Sequence, residues 1–333
     1  MRLGVAGVGR IGALHAENLA GTAGVGEVVV ADADAERAAQ VAEKLGARVV
    51  PDVDALFAAR LDGVVIAAPT DLHAELVMRA VAAGLPVFCE KPVAPDIGGT
   101  LEVLLRVAGS GVPVQVGFQR RFDAGYTAAR AAVAGGSLGP LHSVLAQTLD
   151  PSPPPAAYVA VSGGIFRDCS VHDFDIVRWV TGREVVAVYA RGANHGEDFI
   201  RAAGDVDAVA ALLTLDGGCV AQVSASRYNR AGYDVRMELR GHADSLSVGL
   251  DSRTPLRPAE SDVAGPAGPA YPGFLDRFRA AYAAEMTAFA NLVRTGGPSP
   301  CTVSDALEAF YIAEACERSR REDRPVAIAE VRA

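Results

Sequence analysis

The sequence lacks the features that mark several large classes of protein. It has no apolar run long enough to span a bilayer, and no basic excess: 31 Lys and Arg stand against 40 Asp and Glu, a net charge of −9. This charge provides no field to attract nucleic acid or anionic lipid. The five cysteines are scattered without CxxC spacing, which indicates reduced thiols rather than a disulfide framework or a zinc site. A soluble globular protein is expected.

The apolar N-terminus does not have the pattern of a cleavable leader. The first 21 residues carry a basic residue directly after Met1, as a signal peptide does. However, they carry glycines at fixed offsets, then His15 and Glu17, and no small-residue cleavage site. The sequence therefore predicts a cytoplasmic protein.

The first third of the chain alternates strand and helix patterns. A length of 333 residues is long for one core and suggests two domains. The apolar runs lack in-and-out alternation, as in parallel strands covered on both faces, and helical stretches at 34–46 and 71–84 lie between them. Residues 1–118 are therefore predicted to form a doubly wound parallel α/β sheet, with strands at 2–7, 27–32, 47–50, 62–68, 85–90 and 112–117.

Residues 119–333 have a different pattern, which predicts an α+β domain. Asp216-Gly217-Gly218 joins two apolar runs and predicts a hairpin. The stretch 254–274 is rich in Pro, Gly and Ala, and is expected to be a surface loop before helices at about 275–294 and 304–320. Apolar and polar residues alternate in the runs at 185–192, 207–218, 219–227 and 233–241. They predict a large, mostly antiparallel open sheet with one face that is solvated or covered by a partner.

A glycine motif follows the first predicted strand and opens a helix. Its residues are Gly7-Val8-Gly9-Arg10-Ile11-Gly12, and Asp32 ends the second strand 20 residues after Gly12. Gly7 would permit the tight turn, Gly9 would let the backbone approach a pyrophosphate, and the helix N-terminus would supply N–H groups. The motif predicts a Rossmann dinucleotide site. The alternative is a structural glycine turn that binds no nucleotide.

Asp32 also distinguishes between the two nicotinamide cofactors. A carboxylate at this position can bind the adenine ribose hydroxyls and repels a 2′-phosphate. Asp34 and Glu36 add to this repulsion, while Arg37 is the one nearby cation that would favour the phosphate. The prediction is NAD rather than NADP.

The segment CEKPVAP places Lys91 after the fifth strand, at the sheet edge where ligands bind in such folds. A lysine here can donate a hydrogen bond to a substrate hydroxyl and stabilise the oxygen as hydride leaves the carbon. The alternative is an ordinary solvated loop lysine.

The segment GGIFRDCSVHDFDIVRW contains Asp168 and His172, which would share one face of a helix. A carboxylate that orients an imidazole is a recurrent general base, and a metal site or a buried hydrogen-bonded pair are the alternatives. No Cys/His cluster offers a third ligand, so no metal is predicted. Asp173, Asp175 and Arg178 are expected in a capping or interdomain ion-pair network.

Four segments together resemble the Gfo/Idh/MocA oxidoreductase family, and within it the inositol dehydrogenases. They are the glycine motif, APTDLHAELVMRAVAAGLPVFCEKP, VGFQRRFD and GGIFRDCSVHDFDIVRW. The resemblance extends from Leu3 to RPVAI near the C-terminus. Two positions depart from the family pattern: Gln119 stands where methionine is frequent, and Leu149 stands where arginine is often found.

The resemblance implies roles for individual residues. Lys91, followed by a cis peptide to Pro92, would contact the hydroxyl that is oxidised. His172 would be the general base, oriented by Asp168. Substrate binding is implied for Arg120, Asp150 and Tyr233. Cofactor binding is implied for Gly7, Gly9, Arg10, Ile11, Gly12, Asp32, Thr70, His73, Glu90 and Lys91.

The activity expected from this resemblance is NAD-dependent oxidation of a cyclic polyol, myo-inositol or a close isomer, to its keto form. A dehydrogenase of scyllo-inositol or a hexose is the nearest alternative. A non-catalytic NAD-binding sensor and NAD-assisted elimination on glycosides also stay open. The family further implies a homo-oligomer, a dimer or tetramer, formed through the C-terminal sheet, and its C-terminal helix could pack back on the first domain.

Overall fold

The computed structural model describes residues 1–332 and divides into two compact units. Unit 1 comprises Met1–Phe122 and Ala280–Leu307, and unit 2 comprises Asp123–Arg279 and the residues from Glu308 onward. The strands are β1 (Arg2–Ala6), β2 (Glu27–Ala31), β3 (Arg48–Val49), β4 (Gly63–Ile66), β5 (Val87–Glu90), β6 (Val114–Gly117), β7 (Leu141–Leu149), β8 (Val185–Ala193), β9 (Ala208–Leu215), β10 (Val220–Ser226), β11 (Asp234–Gly241), β12 (Ser245–Val248) and β13 (Val326–Ala327).

Helices connect and flank these strands. They are α1 (Arg10–Ala20), α2 (Ala35–Leu45), α3 (Val53–Phe57), α4 (Thr70–Ala82), α5 (Ile97–Ala108), α6 (Ala124–Ala134), α7 (Ala156–Val159), α8 (Val171–Thr181), α9 (Asp198–Ala202), α10 (Phe274–Arg277), α11 (Arg279–Thr295) and α12 (Val303–Glu322). Short 3₁₀ turns lie at Gln119–Phe122, Asp216–Gly218 and Ile328–Glu330, and a π-helical turn at Phe166–Ser170.

Unit 1 contains the predicted parallel sheet, with strand order β3-β2-β1-β4-β5-β6. This is the doubly wound order of dinucleotide-binding folds, in which the strand order reverses beside β1 and leaves a crevice at the carboxyl ends. Every residue of β4 is buried, and the other central strands are buried at nearly every position, which explains their lack of alternation. On α11, Met286 and Phe289 belong to the same core.

The helix ends in unit 1 follow from capping chemistry. Asp34 caps α2 by accepting a hydrogen bond from the Arg37 amide, and Gly46 ends the helix in the left-handed conformation. Gly84, at φ +70°, follows α4. The helices predicted at 34–46 and 71–84 are therefore confirmed within one or two residues.

Unit 2 contains a seven-stranded mixed sheet with the order β12-β11-β7-β10-β9-β8-β13. Strands β7 and β10 run parallel, and the remaining neighbours are antiparallel. The predicted hairpin is confirmed, because Asp216–Gly218 joins β9 to β10. Strand β9 alternates buried and exposed residues, so one face lies on the core and the other is open. Helix α8 packs on β7 and β10.

The five cysteines are free thiols and buried, as the sequence predicts. Burial raises the pKa of the Cys89, Cys169 and Cys316 thiols well above the ordinary value. Within residues 1–332, no helix is both long enough and apolar enough to cross a membrane. The same residues contain no group of three or more His, Cys, Asp and Glu that could hold a metal ion.

Candidate active site

The turn between β1 and α1 contains three glycines. Two of them, Gly7 and Gly12, leave no room for a side chain, and the third, Gly9, is open to a ligand. Gly7 has φ +87°, and a Cβ there would lie 2.7 Å from the Ala67 oxygen. A Cβ on Gly12 would lie 1.9 Å from the Gly7 oxygen. At Gly9 a Cβ would meet nothing within 4 Å, so the backbone there is open to a close approach. This cradle, at the start of α1, fits a dinucleotide pyrophosphate.

Asp32 is held at the end of β2 by donors close to it in the fold. Its carboxylate accepts hydrogen bonds from the Val8 amide at 2.7 Å, the Asp34 amide at 2.9 Å and Arg37 Nη2 at 2.6 Å. Burial opposes ionisation, but the bonds from Arg37 and the two amides lower the pKa of Asp32 below its ordinary value. The Asp32 carboxylate is therefore ionised and can accept hydrogen bonds from ribose hydroxyls.

Lys91 follows β5, and its peptide bond to Pro92 is cis. Glu90 Oε2 accepts a hydrogen bond from the Lys91 amide at 3.2 Å, and Glu90 Oε1 lies 2.6 Å from Nε2 of the buried His15. Gly117 lies opposite on β6, where a Cβ would come within 3.0 Å of Glu90 Oε2. Glu90 thus fixes the backbone of the lysine beside it. No sequence signal marked His15 as its partner.

His73 joins two loops at the carboxyl edge of the parallel sheet. Its side chain is buried, with Nδ1 2.7 Å from the Pro92 oxygen and Nε2 2.8 Å from the Ala68 oxygen. Thr70 begins the same helix, α4. The ring therefore connects the loop after Lys91 to the loop after β4.

Arg120 lies in the 3₁₀ turn that follows β6, and its side chain is buried. The neighbouring Arg121 pairs with Asp305 at 3.2 Å and donates to the Pro300 oxygen at 3.1 Å. Burial acts to raise the pKa of Asp305, but the charge of Arg121 and the hydrogen bonds from Thr302 outweigh it, so the pKa lies below its ordinary value. This pair anchors the turn that carries Arg120.

The second set of candidate residues lies in unit 2. The spacing of Asp168 and His172 suggested one α-helical segment, but Asp168 lies in the π-helical turn Phe166–Ser170 and His172 lies in α8. Such π-helical turns are rare in proteins, and those that do occur are frequently found at functional sites. Asp168 and His172 are partly accessible, whereas the residues expected to bury this segment do so: Phe166, Val171, Phe174, Ile176 and Val177.

Asp168 is held by the side chains of Tyr158 and Arg227, which lie 10 and 59 residues away in sequence. Tyr158 Oη donates to Asp168 Oδ1 at 2.8 Å, and Arg227 Nη1 donates to Oδ2 at 3.3 Å. Arg227 Nη2 also donates to Asp205 Oδ2 at 3.4 Å. Sequence reasoning missed these partners, because nothing in their local pattern points to Asp168.

Strand register brings the other candidates of unit 2 to one end of the sheet. Leu149 on β7 lies opposite both Ser226 on β10 and Asp234 on β11. The adjoining residues Asp150, Arg227 and Tyr233 therefore emerge at the same end. Tyr233 is buried, and Asp150 donates its amide to the Ser226 oxygen at 2.8 Å.

The remaining polar residues of α8 are buried within unit 2. Thr148 Oγ1 donates to Asp173 Oδ2 at 2.7 Å, and Arg178 forms two hydrogen bonds with Glu184, at 2.7 and 2.8 Å. Asp175 is also fully buried. The Arg178–Glu184 ion pair is structural, as expected, but both residues belong to unit 2, so this pair does not join two domains.

Comparison with known proteins identifies the family. Residues 1–118 match the model of an oxidoreductase family with an NAD-binding Rossmann fold, and residues 126–247 match the GFO/IDH/MocA C-terminal domain. The chain belongs to the GFO/IDH/MocA family. The predicted fold class, the NAD cofactor and the dehydrogenase class are thereby confirmed.

Members of the GFO/IDH/MocA family resemble this chain over its full length. An inositol 2-dehydrogenase of Rhizobium meliloti is 38% identical over 99% of both chains. A probable dehydrogenase from Thermotoga maritima is 32% identical, with a TM-score of 0.92 over 99% of this chain and 100% of that one. The scyllo-inositol dehydrogenase of Lactobacillus casei, solved with NAD(H) and scyllo-inositol, is 28% identical, with a TM-score of 0.86 over 99% of both chains.

Proposed function

We propose that this GFO/IDH/MocA member oxidises myo-inositol, or a close inositol isomer, to the corresponding ketone with NAD. The observation that carries the proposal is the full-length likeness to inositol 2-dehydrogenase in a chain that retains Lys91, Asp168 and His172. A regulatory relative that had lost catalysis would be expected to lose the lysine or the histidine.

The reaction removes two hydrogens from one CHOH group. When bound, NAD supplies the acceptor for the hydride that leaves the carbon. His172 accepts the hydroxyl proton, and Asp168 orients the imidazole and binds substrate. Lys91 donates a hydrogen bond to the substrate oxygen while the carbonyl forms. One ketone, one NADH and one proton are produced.

Cofactor binding is assigned to residues 1–118. Gly7, Gly9, Arg10, Ile11 and Gly12 would hold the pyrophosphate at the start of α1. Asp32 would bind the adenine ribose, and its fixed negative charge favours NAD over NADP. Glu90 and His73 would act by fixing the backbone that carries Lys91, and Thr70 would border the nicotinamide.

Substrate binding and oligomerisation are assigned to residues 119–333. Arg120, Asp150 and Tyr233 would hydrogen-bond the ring hydroxyls. A neutral polyol suits such a mixed set, because each hydroxyl both donates and accepts a hydrogen bond. Gln119 and Leu149 differ from the usual family residues, so the preferred isomer is expected to depend on them.

A homo-oligomer formed through the open face of the seven-stranded sheet is also proposed, for a protein that acts in the cytoplasm. Large apolar side chains lie exposed on three neighbouring strands of this sheet, among them Leu212 at 51% and Val220 at 40%. Exposed large apolar side chains on neighbouring strands of one open sheet face support an interface there. Light scattering on the purified protein should give a dimer or tetramer mass; a monomer mass would remove the proposal.

NADH formation by the purified protein tests the activity. The substrates to be compared are myo-inositol, scyllo-inositol, other inositols and hexopyranoses. Each is tested with the wild type and with the Lys91→Ala variant. The matched control is Lys44→Ala, because Lys44 is an exposed lysine of the same unit that pairs with Glu17 at 3.4 Å. We expect one inositol to be oxidised, Lys91→Ala to lose activity and Lys44→Ala to retain it. NAD binding without oxidation of any polyol would contradict the proposal.

A further inference from the structure

We propose that Arg227 is a positioning residue that holds the Asp168 carboxylate in its working orientation, with Asp205 as a second anion that anchors the guanidinium. The inference rests on the proposed function, since only there does Asp168 orient the general base. Nothing in the sequence pattern marks Arg227 or Asp205 as part of the site.

The guanidinium of Arg227 bridges two carboxylates through different nitrogens. Nη1 lies 3.3 Å from Asp168 Oδ2, and Nη2 lies 3.4 Å from Asp205 Oδ2. The Arg227 side chain is 1% exposed, against 6% for Asp205 and 14% for Asp168. A planar fork with separate donors can serve two acceptors at fixed angles, which the single ammonium of lysine cannot.

Both ends of this bridge are fixed to the backbone that surrounds Asp168. The Arg227 amide donates to the Asp207 oxygen at 2.8 Å, at the end of β10. Asp205 Oδ1 accepts from the Ile165 amide at 3.0 Å, directly before the π-helical turn that carries Asp168. The Asp205 carboxylate therefore connects the guanidinium to the segment that the guanidinium orients.

The glycine before Ile165 makes this arrangement possible. Gly164 has φ +91°, and a Cβ there would lie 3.1 Å from Asp205 Oδ1. Any other residue would both strain the backbone and crowd the carboxylate. Gly164, the second glycine of GGIF, thus has a physical role in placing Asp205.

The two oxygens of Asp168 are oriented by different groups. Tyr158 holds Oδ1 and Arg227 holds Oδ2, so the plane of the carboxylate is defined. Burial disfavours the charged guanidinium, but the carboxylates of Asp168 and Asp205 raise the pKa of Arg227, so the cation is retained. Two carboxylates and one guanidinium carry a net charge of −1, which suits the positive charge that His172 gains when it accepts a proton.

The test compares four variants with the wild type: Arg227→Met, Arg227→Lys, Asp168→Asn and the double variant Arg227→Met/Asp168→Asn. Arg178→Met is the matched control, because Arg178 is a buried, ion-paired arginine of the same unit with no role in the proposed reaction. The measurements are kcat, the KM for inositol, the Kd for NAD, and the free energy of unfolding in urea.

In the enzyme that keeps Asp168, Arg227→Met should lower kcat by about 100-fold and leave the Kd for NAD within about twofold of the wild-type value. The reason is that a displaced orienting group slows the chemical step without weakening cofactor binding. Arg227→Lys should lose less, about 10-fold. In the Asp168→Asn background, Arg227→Met should change kcat by less than about threefold, since its effect acts through the carboxylate. Arg178→Met should reduce stability and keep kcat. Equal losses of kcat in the two backgrounds, or an unchanged kcat, would overturn the inference.

A crystal structure of Arg227→Met, or of Arg227→Lys if the first variant does not fold, gives a readout that does not depend on activity. We expect the Asp168 carboxylate to rotate away from the Tyr158 hydroxyl. An Asp168 that keeps its wild-type position would overturn the inference even in an active enzyme. An inactive wild type would instead overturn the proposed function, and the carboxylate position would still decide the role of Arg227.

Discussion

Two carboxylates of this protein, Asp32 in unit 1 and Asp168 in unit 2, are each held by an arginine but are built in different ways. Asp32 takes its cation from Arg37, five residues on, and its other donors from the adjoining turns. Asp168 takes its cation from Arg227, 59 residues on. The first site is a local motif, whereas the second exists only after the mixed sheet has assembled.

The two arginines also differ in exposure. Arg37 is 46% exposed, and Arg227 is 1% exposed. Exposed ion pairs contribute about 0–1 kcal/mol to the free energy of unfolding, whereas the loss of one partner of a buried pair lowers it by about 3–5 kcal/mol. Changes at Arg37 should therefore cost the fold little, whereas changes at Arg227 should affect both catalysis and stability.

The largest expected effect lies beside Asp168. His172→Gln should lower kcat by about 1,000-fold, because a general base contributes 10²–10⁴-fold. The Kd for NAD should not change, since the proposed cofactor residues belong to the other unit. Steady-state kinetics and calorimetry check both parts. His142→Gln, which removes an exposed histidine of unit 2, is the control. A His172→Gln enzyme within tenfold of wild-type kcat would refute the assignment of the base.

Asp32→Ala should produce the next largest change, in cofactor preference. Loss of the carboxylate removes the repulsion of a 2′-phosphate and frees Arg37 to pair with it, so the NADP/NAD ratio of kcat/KM should rise about 10–100-fold, the equivalent of about 1.4–2.7 kcal/mol. The double variant Asp32→Ala/Arg37→Ala should lose most of this gain. A ratio that stays constant would mean that Asp32 does not select the cofactor.

Gly164→Ala should destabilise unit 2 by about 2–3 kcal/mol, through the strain of a positive φ and the crowding of Asp205. Gly84→Ala is the control for strain alone, since a Cβ there meets nothing within 4 Å, and it should cost about 1 kcal/mol. Urea unfolding gives both values. Only Gly164→Ala should lower kcat. Equal effects of the two variants would argue against the contact with Asp205.

The smallest expected effect concerns the buried carboxyl group of Glu285. Glu285 is fully buried in unit 1, and burial, with a further contribution from the charge of Glu90, raises its pKa well above the ordinary value. The folded state therefore keeps a proton that the unfolded state releases as the pH rises above about 4.5, so this group reduces stability on the alkaline side.

Glu285→Gln should thus raise Tm at pH 8 and change it much less near pH 4, where the Glu285 carboxyl of the wild type is mostly protonated in both states. Thermal unfolding across this pH range measures the difference. A variant that is less stable than wild type at pH 8 would show that the carboxylate is ionised and compensated in the folded protein.

The contrast between the two sites also explains what could be predicted from the sequence. The parallel sheet and the Asp32 position could be predicted because glycine spacing, buried apolar runs and helix caps are local signals. Strand β7 was not anticipated, although it pairs with β10 and β11 and places Asp150 at the end of the sheet. Its pairing depends on register across 70 or more residues, which no local pattern encodes.

The same reason separates the residues found at the second site from those missed. Asp168 and His172 stood out because polar residues interrupt an apolar segment. Arg227 directly follows β10 and Asp205 lies in a loop, so neither is marked by a local pattern. The π-helical turn also escaped prediction, since four-residue spacing reads as an ordinary α-helix.

The most direct test of the account follows the hydride itself. The purified protein is incubated with NAD and inositol that carries deuterium on its ring carbons, and the reduced cofactor is examined by mass spectrometry. We expect one deuterium in each NADH formed, with a slower rate than for unlabelled inositol where hydride transfer limits turnover. NADH without deuterium, or deuterated inositol left unoxidised beside bound NAD, would contradict it.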